Sequence, residues 1–519
     1  MSVDTLATSA RTSTAPLSGW RRMFVDWIVV SGATVLTQAL GVLTSLALRL
    51  ALSPAQMGVW QALKLLLANG NYANLGISKG AAREYTIALG RGQPEAAQHG
   101  LNLAFTVNTL TSGLFGVGLA ACGVWIGWMA GGIGSSPWAV GLIVVGTLAV
   151  LQRYVTFQVT LLRSKLEFAG TSQLSILEGV LTVVAVGPAA WLWGLPGLYA
   201  GTLAVLGASL WFLHTHGALR FVWAWDRAEI RRLVSIGSPI MLAGVVSTLF
   251  RTLDKMMILG YLPDREFQLG CYSLALLVTG QLYGLGNMLS IVIGPRLGEH
   301  YGYWSDRRAV ARLTSRASEL QAAAIALPAG LAVVAAAPLL GAMLPEYRVG
   351  LPPMLWLIPG VIALVLALLP GQYLVAVDRQ NWSLGATLLA TGVAAVGNHL
   401  ALVAGWGLVG VAIATTLTYV TYFLLQAALV WIELDPRERL RGPAMHLLAV
   451  GPALTVALGL EWLRPTTGGP WTLVLAKIAA VTIAWTLSVA AGWHWGGWRE
   501  MMRRNGHSPG TGRRPEGEA

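Results

Sequence analysis

From about residue 25 onward the chain alternates long apolar runs with short polar connections. Fourteen runs can be placed, near 25–50, 58–79, 99–129, 138–161, 170–192, 197–216, 234–261, 268–294, 318–343, 353–376, 382–403, 407–431, 444–462 and 470–492. Each is long enough, or nearly so, for a helix to cross about 30 Å of hydrocarbon. The pattern predicts an all-α, polytopic integral membrane protein of about 14 transmembrane helices. Every connection on the predicted outer face is short, so no outer domain is expected.

Composition agrees. Only 11% of the 519 residues are charged and 55% are hydrophobic, with a mean hydropathy of +0.62. A soluble chain carries about 25% charged residues. The net charge of +12 could suggest nucleic acid, but its placement argues otherwise. With the N-terminus inside, the inner loops hold Arg83 and Arg91, Arg163 and Lys165, Arg220 to Arg232, Arg296 to Arg316, Arg379, and Arg437 to Arg441. The outer loops hold only Arg265, Arg348 and Arg464. This is the positive-inside asymmetry, and it predicts both termini in the cytoplasm. The charge then orients the protein and meets membrane lipids; no nucleic-acid partner is expected. Cys122 and Cys271 both fall in apolar runs and are expected to be small buried residues.

A weak internal repeat organises the runs. "QMGVWQALKLLL" aligns with "QLGCYSLALLVT", which matches Gly58 to Gly270 at an offset of 212 residues, and the same offset matches Gly90 to Gly302. Parallel repeats of this kind often belong to transporters. The expected organisation is a disordered cytoplasmic N-terminus over 1–22, a six-helix lobe over 23–219 and a second over 220–434. Two further spans over 435–492 and a disordered basic tail over 493–519 complete it. The two lobes are expected to be related by a pseudo-two-fold repeat around a central cavity.

Polar residues inside the runs carry the candidate chemistry, because a charge at mid-membrane is costly unless it faces protein or water. On a continuous helix over 58–79, Lys64, Asn71, Asn74 and Ser78 fall on one stripe, running about 21 Å along the axis. That stripe is read as cavity lining. Asn69 lies on the opposite face and is expected to bond a neighbouring helix. In the first run Gln38 and Arg49 recur at helical spacing; snorkelling also accounts for Arg49. The seventh run carries Arg251, Asp254 and Lys255 on one side, with Asp254 spaced to neutralise Arg251 in part. Asn102, Thr106, Asn398 and His399 read as interhelical contacts. Glu178 lies about 12 Å inside its run. Arg153 could pair with it, either as a structural pair or as an ion-coupling site. Lys477 is expected to snorkel.

The cationic set suits an anionic ligand, particularly phosphate, and the Asn and Ser positions suit hydroxyl-rich groups. Phosphate-loop and H-E-x-x-H motifs are absent, as are paired D-x-D aspartates. With no catalytic or metal-ligating constellation, neither an enzyme nor a cofactor is expected.

The stretch "LSPAQMGVWQALKLLLANGNYANLGISKGAAREYTIALGRGQPEAA" resembles the N-terminal region of polysaccharide or O-antigen flippases. Those belong to the superfamily that also holds lipid II flippases and multidrug-and-toxin extrusion transporters. "LDKMMILGYLPDREFQLGCYSLA" with "IGPRLGEHYGYWSDRR" is similar to the second-lobe counterpart, and "GWGLVGVAIATTLTYVTYF" to the glycine-rich twelfth span. The resemblance implies alternating access in a bacterial inner membrane. Its cargo would be an oligosaccharide linked to polyprenyl pyrophosphate, and its partners a glycan polymerase and other envelope-assembly proteins. Cation-coupled drug or metabolite antiport is the alternative within the same superfamily.

Overall fold

The computed structural model describes residues 32, 36–70, 72–91, 93–164, 168–215, 222–304, 306–463 and 471–495. The expectations for the two termini, Asn71, Lys165, Arg220 and Arg464 therefore lie wholly or largely outside the described residues.

The helices, in chain order, are α1 (Leu36–Ala51), α2 (Pro54–Gly70), α3 (Ile77–Gly90), α4 (Pro94–Met129), α5 (Pro137–Ser164), α6 (Phe168–Leu181) and α7 (Gly187–Thr215). There follow α8 (Arg227–Tyr261), α9 (Arg265–Trp304), α10 (Arg307–Leu331), α11 (Ala337–Met343), α12 (Leu351–Leu366) and α13 (Leu368–Ala376). The last four are α14 (Gln380–Val403), α15 (Gly407–Trp431), α16 (Pro436–Leu463) and α17 (Trp471–Trp495). Among the described residues there is no strand, and 11 helical runs are long and apolar enough to cross a membrane. One of them, Gly170–Thr215, reverses at Gly194, whose φ of 62° and ψ of −137° are outside helical space. A Cβ on Gly197 would strike the Ala189 carbonyl, so the chain turns tightly back on itself there. That reversal divides the run into the fifth and sixth spans read in the sequence.

One expected span is not a single helix. The run over 58–79 is interrupted between α2 and α3 by a turn over 72–76. Leu75 (φ 53°) and Gly76 (φ 84°) both take the left-handed backbone, which α-helix excludes. Two π-helical turns, Thr182–Val186 and Ala332–Ala336, leave the fifth and ninth spans continuous. Cys271 is buried as expected, but Cys122 is exposed on its helix.

The chain forms two compact units. One comprises Met1–Leu52 and Leu63–Val245, the other Ser53–Ala62 and Val246–Ala519. In the first, Ile77, Leu101, Leu103, Phe157 and Leu233 form a buried apolar cluster. Gly76 and Gly80 of the α3 end lie against the backbone of Gly237 and Leu233 on α8. Arg232 bonds Glu84 at 2.6 Å and Glu229 at 3.1 Å beside that crossing. The segment before α8 is tied to α4, its Val222 and Ala224 N–H groups donating to Asn102 Oδ1 and Thr106 Oγ1. Those two side chains tie a loop rather than two helices.

In the second unit, α10 and α16 are joined by polar contacts: Arg441 to Glu319 through both nitrogens, and Ser318 to His446. Lys477 does not snorkel. It is 2% exposed and pairs with Glu461 at 2.9 Å, because the acid on α16 offers a closer partner than the interface.

The same unit contains a reciprocal crossing. A Cβ on Gly58 would fall on the Glu266 carbonyl, and one on Gly270 would fall on the Pro54 carbonyl. Pro54 and Glu266 are separated by the same 212 residues as the two glycines. The repeat offset is thus built into the packing. Gly58→Ala should force the two backbones apart and destabilise the protein by about 1–3 kcal/mol, as overpacking does. A melting temperature in detergent equal to wild type would refute this.

Candidate functional site

The interruption between α2 and α3 organises the polar residues of the first unit. Asn74, 4% exposed, holds the turn. Its Oδ1 accepts from Gly76 N–H at 3.2 Å, and its Nδ2 donates to Ser78 Oγ at 2.8 Å and to Asn108 Oδ1 at 3.1 Å. A buried amide with this many partners is a fixed element. Tyr72 Oη donates to the Gly244 carbonyl at 2.8 Å. Arg153, 8% exposed on α5, donates from Nη2 to the Gly70 carbonyl at 2.8 Å and so caps the end of α2. Asn69 bonds its own helix, Nδ2 to Leu65 O at 2.8 Å, and not a neighbour, since it lies in the exposed last turn of α2.

These groups surround a cavity of about 320 Å³ lined by Tyr72, Asn74, Ser78, Lys79, Arg153 and Thr156, with Phe157, Met241 and Gly244 completing it. No carboxylate belongs to the lining. Lys79, the last residue of the run predicted over 58–79, lines it too. Asn108 and Thr156 were not among the residues the sequence pattern selected, although both have polar neighbours, Thr106 and Thr109 beside Asn108 and Arg153 and Gln158 beside Thr156. A larger cavity in the second unit, about 590 Å³, is apolar, with Leu351, Trp356, Leu458 and Trp462 in its wall.

The remaining expected site residues are placed as follows. Lys64 lies on α2, exposed, and Ser78 on α3, so the interruption removes the common helical axis assumed for the stripe. Gln38 is half-buried on α1. Arg49 is 4% exposed and its Nη1 donates to Ser45 O at 2.7 Å and Ser45 Oγ at 2.6 Å, folded against its own helix. Arg153 and Glu178 do not pair. Arg153 is held by the Gly70 carbonyl, while Glu178 accepts from Ser209 Oγ at 2.8 Å.

Arg251 and Asp254 do not pair either. Three helical positions carry Asp254 to the buried side of α8, where it is 5% exposed and accepts from Tyr272 Oη at 2.9 Å. Its other oxygen accepts from the Lys255 backbone N–H at 2.8 Å. Arg251 is exposed, with its guanidinium 5.0 Å from the Tyr283 ring centroid. Lys255 Nζ donates to the Arg251 carbonyl at 3.2 Å. Among the described residues no carboxylate lies within ion-pair distance of Arg251 or Lys255. The described residues also contain no group of acids, histidines and cysteines able to hold a metal.

Known structures share this architecture. The lipid II flippase MurJ in an inward closed conformation is similar over 92% of this chain and 100% of its own, with a TM-score of 0.66 and 11% identity. An inward-facing multidrug resistance MATE family transporter of the MOP superfamily matches 81% of this chain and 98% of its own, with a TM-score of 0.58 and 14% identity. The MATE transporter VcmN of Vibrio cholerae matches 82% and 98%, with a TM-score of 0.56 and 15% identity. Among curated proteins none matches the sequence. The chain is thus a multi-pass membrane protein that shares the fold of these solved structures. A family model described as "Polysaccharide biosynthesis protein" matches residues 85–344, half of the sequence, and the chain belongs to that family.

Proposed function

We propose that this protein is a flippase for an oligosaccharide linked to polyprenyl pyrophosphate, an O-antigen, capsule or exopolysaccharide unit. It would act by alternating access in a bacterial inner membrane, with both termini cytoplasmic, as a carrier and not as an enzyme. One observation carries the reading: Asp254 hydrogen-bonds Tyr272, Arg251 and Lys255 have no ion-pair partner among the described residues, and the three together keep one excess positive charge in the membrane-spanning region of a polysaccharide-family chain. Uncompensated cations in a membrane are tolerated where a water-filled path or an anion meets them. The pyrophosphate is the group they would meet, through charge-assisted hydrogen bonds. Lys64, Arg251 and Lys255 are assigned that role, with Asn71, Asn74 and Ser78 toward the sugars. A glycan polymerase would receive the product.

The test is export in a deletion strain complemented with Lys64→Ala or Arg251→Ala, scored as surface polysaccharide at matched protein level. Each variant is expected to lose most export. Full export by both would refute the pyrophosphate role, and glycosyl transfer by the purified protein would refute the carrier reading.

A second reading, cation-coupled antiport, has one observation in its favour. Glu178 is an acid deep in a span, and its carboxylate accepts from the Ser209 hydroxyl. If Glu178→Gln abolishes efflux of an organic cation while glycan export persists, that reading replaces the first.

A further inference from the structure

The guanidinium of Arg153 poses a charge problem that the fold itself does not solve. A guanidinium has several N–H donors. Arg153 is 8% exposed and spends one donor on the Gly70 carbonyl. It has no ion pair among the described residues. A cation removed from water is retained where an anion or a set of oriented acceptors offsets the desolvation. The cavity it lines adds a second cation, Lys79, and no acid.

The rest of the lining narrows the ligand. Tyr72, Ser78 and Thr156 bring hydroxyl groups and Asn74 an amide, while Phe157 and Met241 provide an apolar wall. Hydroxyls and an amide beside an aromatic face suit a ring that has both polar edges and apolar faces. The cavity, about 320 Å³, holds one such ring and not a chain of them. Asn74 is locked by Gly76, Ser78 and Asn108, so the wall is formed before any ligand arrives.

We infer that this cavity is an anion subsite of the first unit, taking one sugar-sized acidic group of the cargo, with Arg153 as its counter-charge. The inference rests on the reading that the chain carries a lipid-linked glycan. The acidic group has two sources with the same chemistry, the carboxylate of a uronate-type sugar or a phosphate of the lipid carrier. Arg153 also caps α2, so an anion drawing on the guanidinium acts on the interruption between α2 and α3.

The test uses the full chain in lipid nanodiscs with three probes: glucuronate, glucose and inorganic pyrophosphate. Binding is read by saturation-transfer NMR for the sugars and by phosphorus linewidth for pyrophosphate. Glucuronate is expected to bind and glucose not to. Arg153→Gln should weaken the anion roughly tenfold, the scale of one charge-assisted hydrogen bond. Because Arg153→Gln also removes the cap on α2, Thr156→Leu is the second variant: it fills the cavity and leaves the guanidinium, and should abolish binding. Pyrophosphate binding alone, with the same dependence on both residues, supports the subsite and assigns it to the carrier. The subsite is overturned if neither anion binds, if binding survives both substitutions, or if glucose binds as tightly as glucuronate. Export by the same variants separates the two readings. No anion binding with export intact removes the subsite and spares the flippase, whereas Arg153-dependent binding with no glycan export by the wild type does the reverse.

Discussion

Arg441→Ala is expected to destabilise the folded protein by about 3–5 kcal/mol, the range for breaking a buried ion pair from one side. Glu319 on α10 is 0% exposed, and Arg441 on α16 reaches both of its oxygens, Nη1 to Oε1 at 3.2 Å and Nη2 to Oε2 at 3.0 Å. Arg312 and Arg316 lie nearby but are paired with Glu438, at 3.8 and 3.9 Å. Removing Arg441 takes two charge-assisted hydrogen bonds from a fully buried carboxylate. Glu319→Leu alone leaves the guanidinium instead, which is 24% exposed in its side chain and can reach water. Its loss should therefore be smaller. The double variant Glu319→Leu with Arg441→Met should recover much of the stability, since a well-packed apolar pair can match a buried ionic one. Melting of purified protein in detergent, compared across the two single variants and the double, gives the coupling. Additive losses would show that the pair is not a unit.

That pair was not visible in the sequence, and the reason is general for this chain. Hydropathy located the spans because lipid imposes one requirement on every residue of a spanning run. The fifth and sixth spans and the order of all later helices follow from that requirement. Pairing is set by distance between helices, which a single run does not encode. Arg153 could be matched to Glu178 on type and depth alone, yet the nearest acceptor was the carbonyl that α2 leaves open at Gly70. Asp254 was spaced to meet Arg251 along α8, but the Tyr272 hydroxyl drew it inward. The interruption between α2 and α3 had a local signature that window averaging erased: Asn69, Gly70, Asn71, Asn74 and Gly76 in eight residues. Such a density of Asn and Gly marks a turn. Reading it would have put Lys64 and Ser78 on separate helices. The match of Gly58 to Gly270 was legible as an offset, but its cause, reciprocal contact with Glu266 and Pro54 carbonyls, lies only in the packing.

Arg251→Glu is expected to reduce glycan export at least tenfold at matched protein level. One charge-assisted hydrogen bond is worth about 1.5–3 kcal/mol, and reversal adds repulsion to its loss. The graded series discriminates mechanism. Arg251→Lys keeps the charge but loses the planar fork and its position over Tyr283, so it should retain partial export. Arg251→Ala should fall between Lys and Glu. Asp254→Asn is the decisive partner, because Asp254 faces Tyr272 and not Arg251. The amide oxygen can still accept from the Tyr272 hydroxyl, so export should change less than about twofold, within the loss of one modest neutral contact. If Asp254 instead served to neutralise Arg251 during transport, Asp254→Asn would shift export as strongly as Arg251→Ala. Wild-type export from Arg251→Glu would remove the cationic site from the mechanism altogether. The direction of both effects follows from one hydroxyl, since Tyr272 determines which of the two neighbouring charges on α8 is available to a ligand.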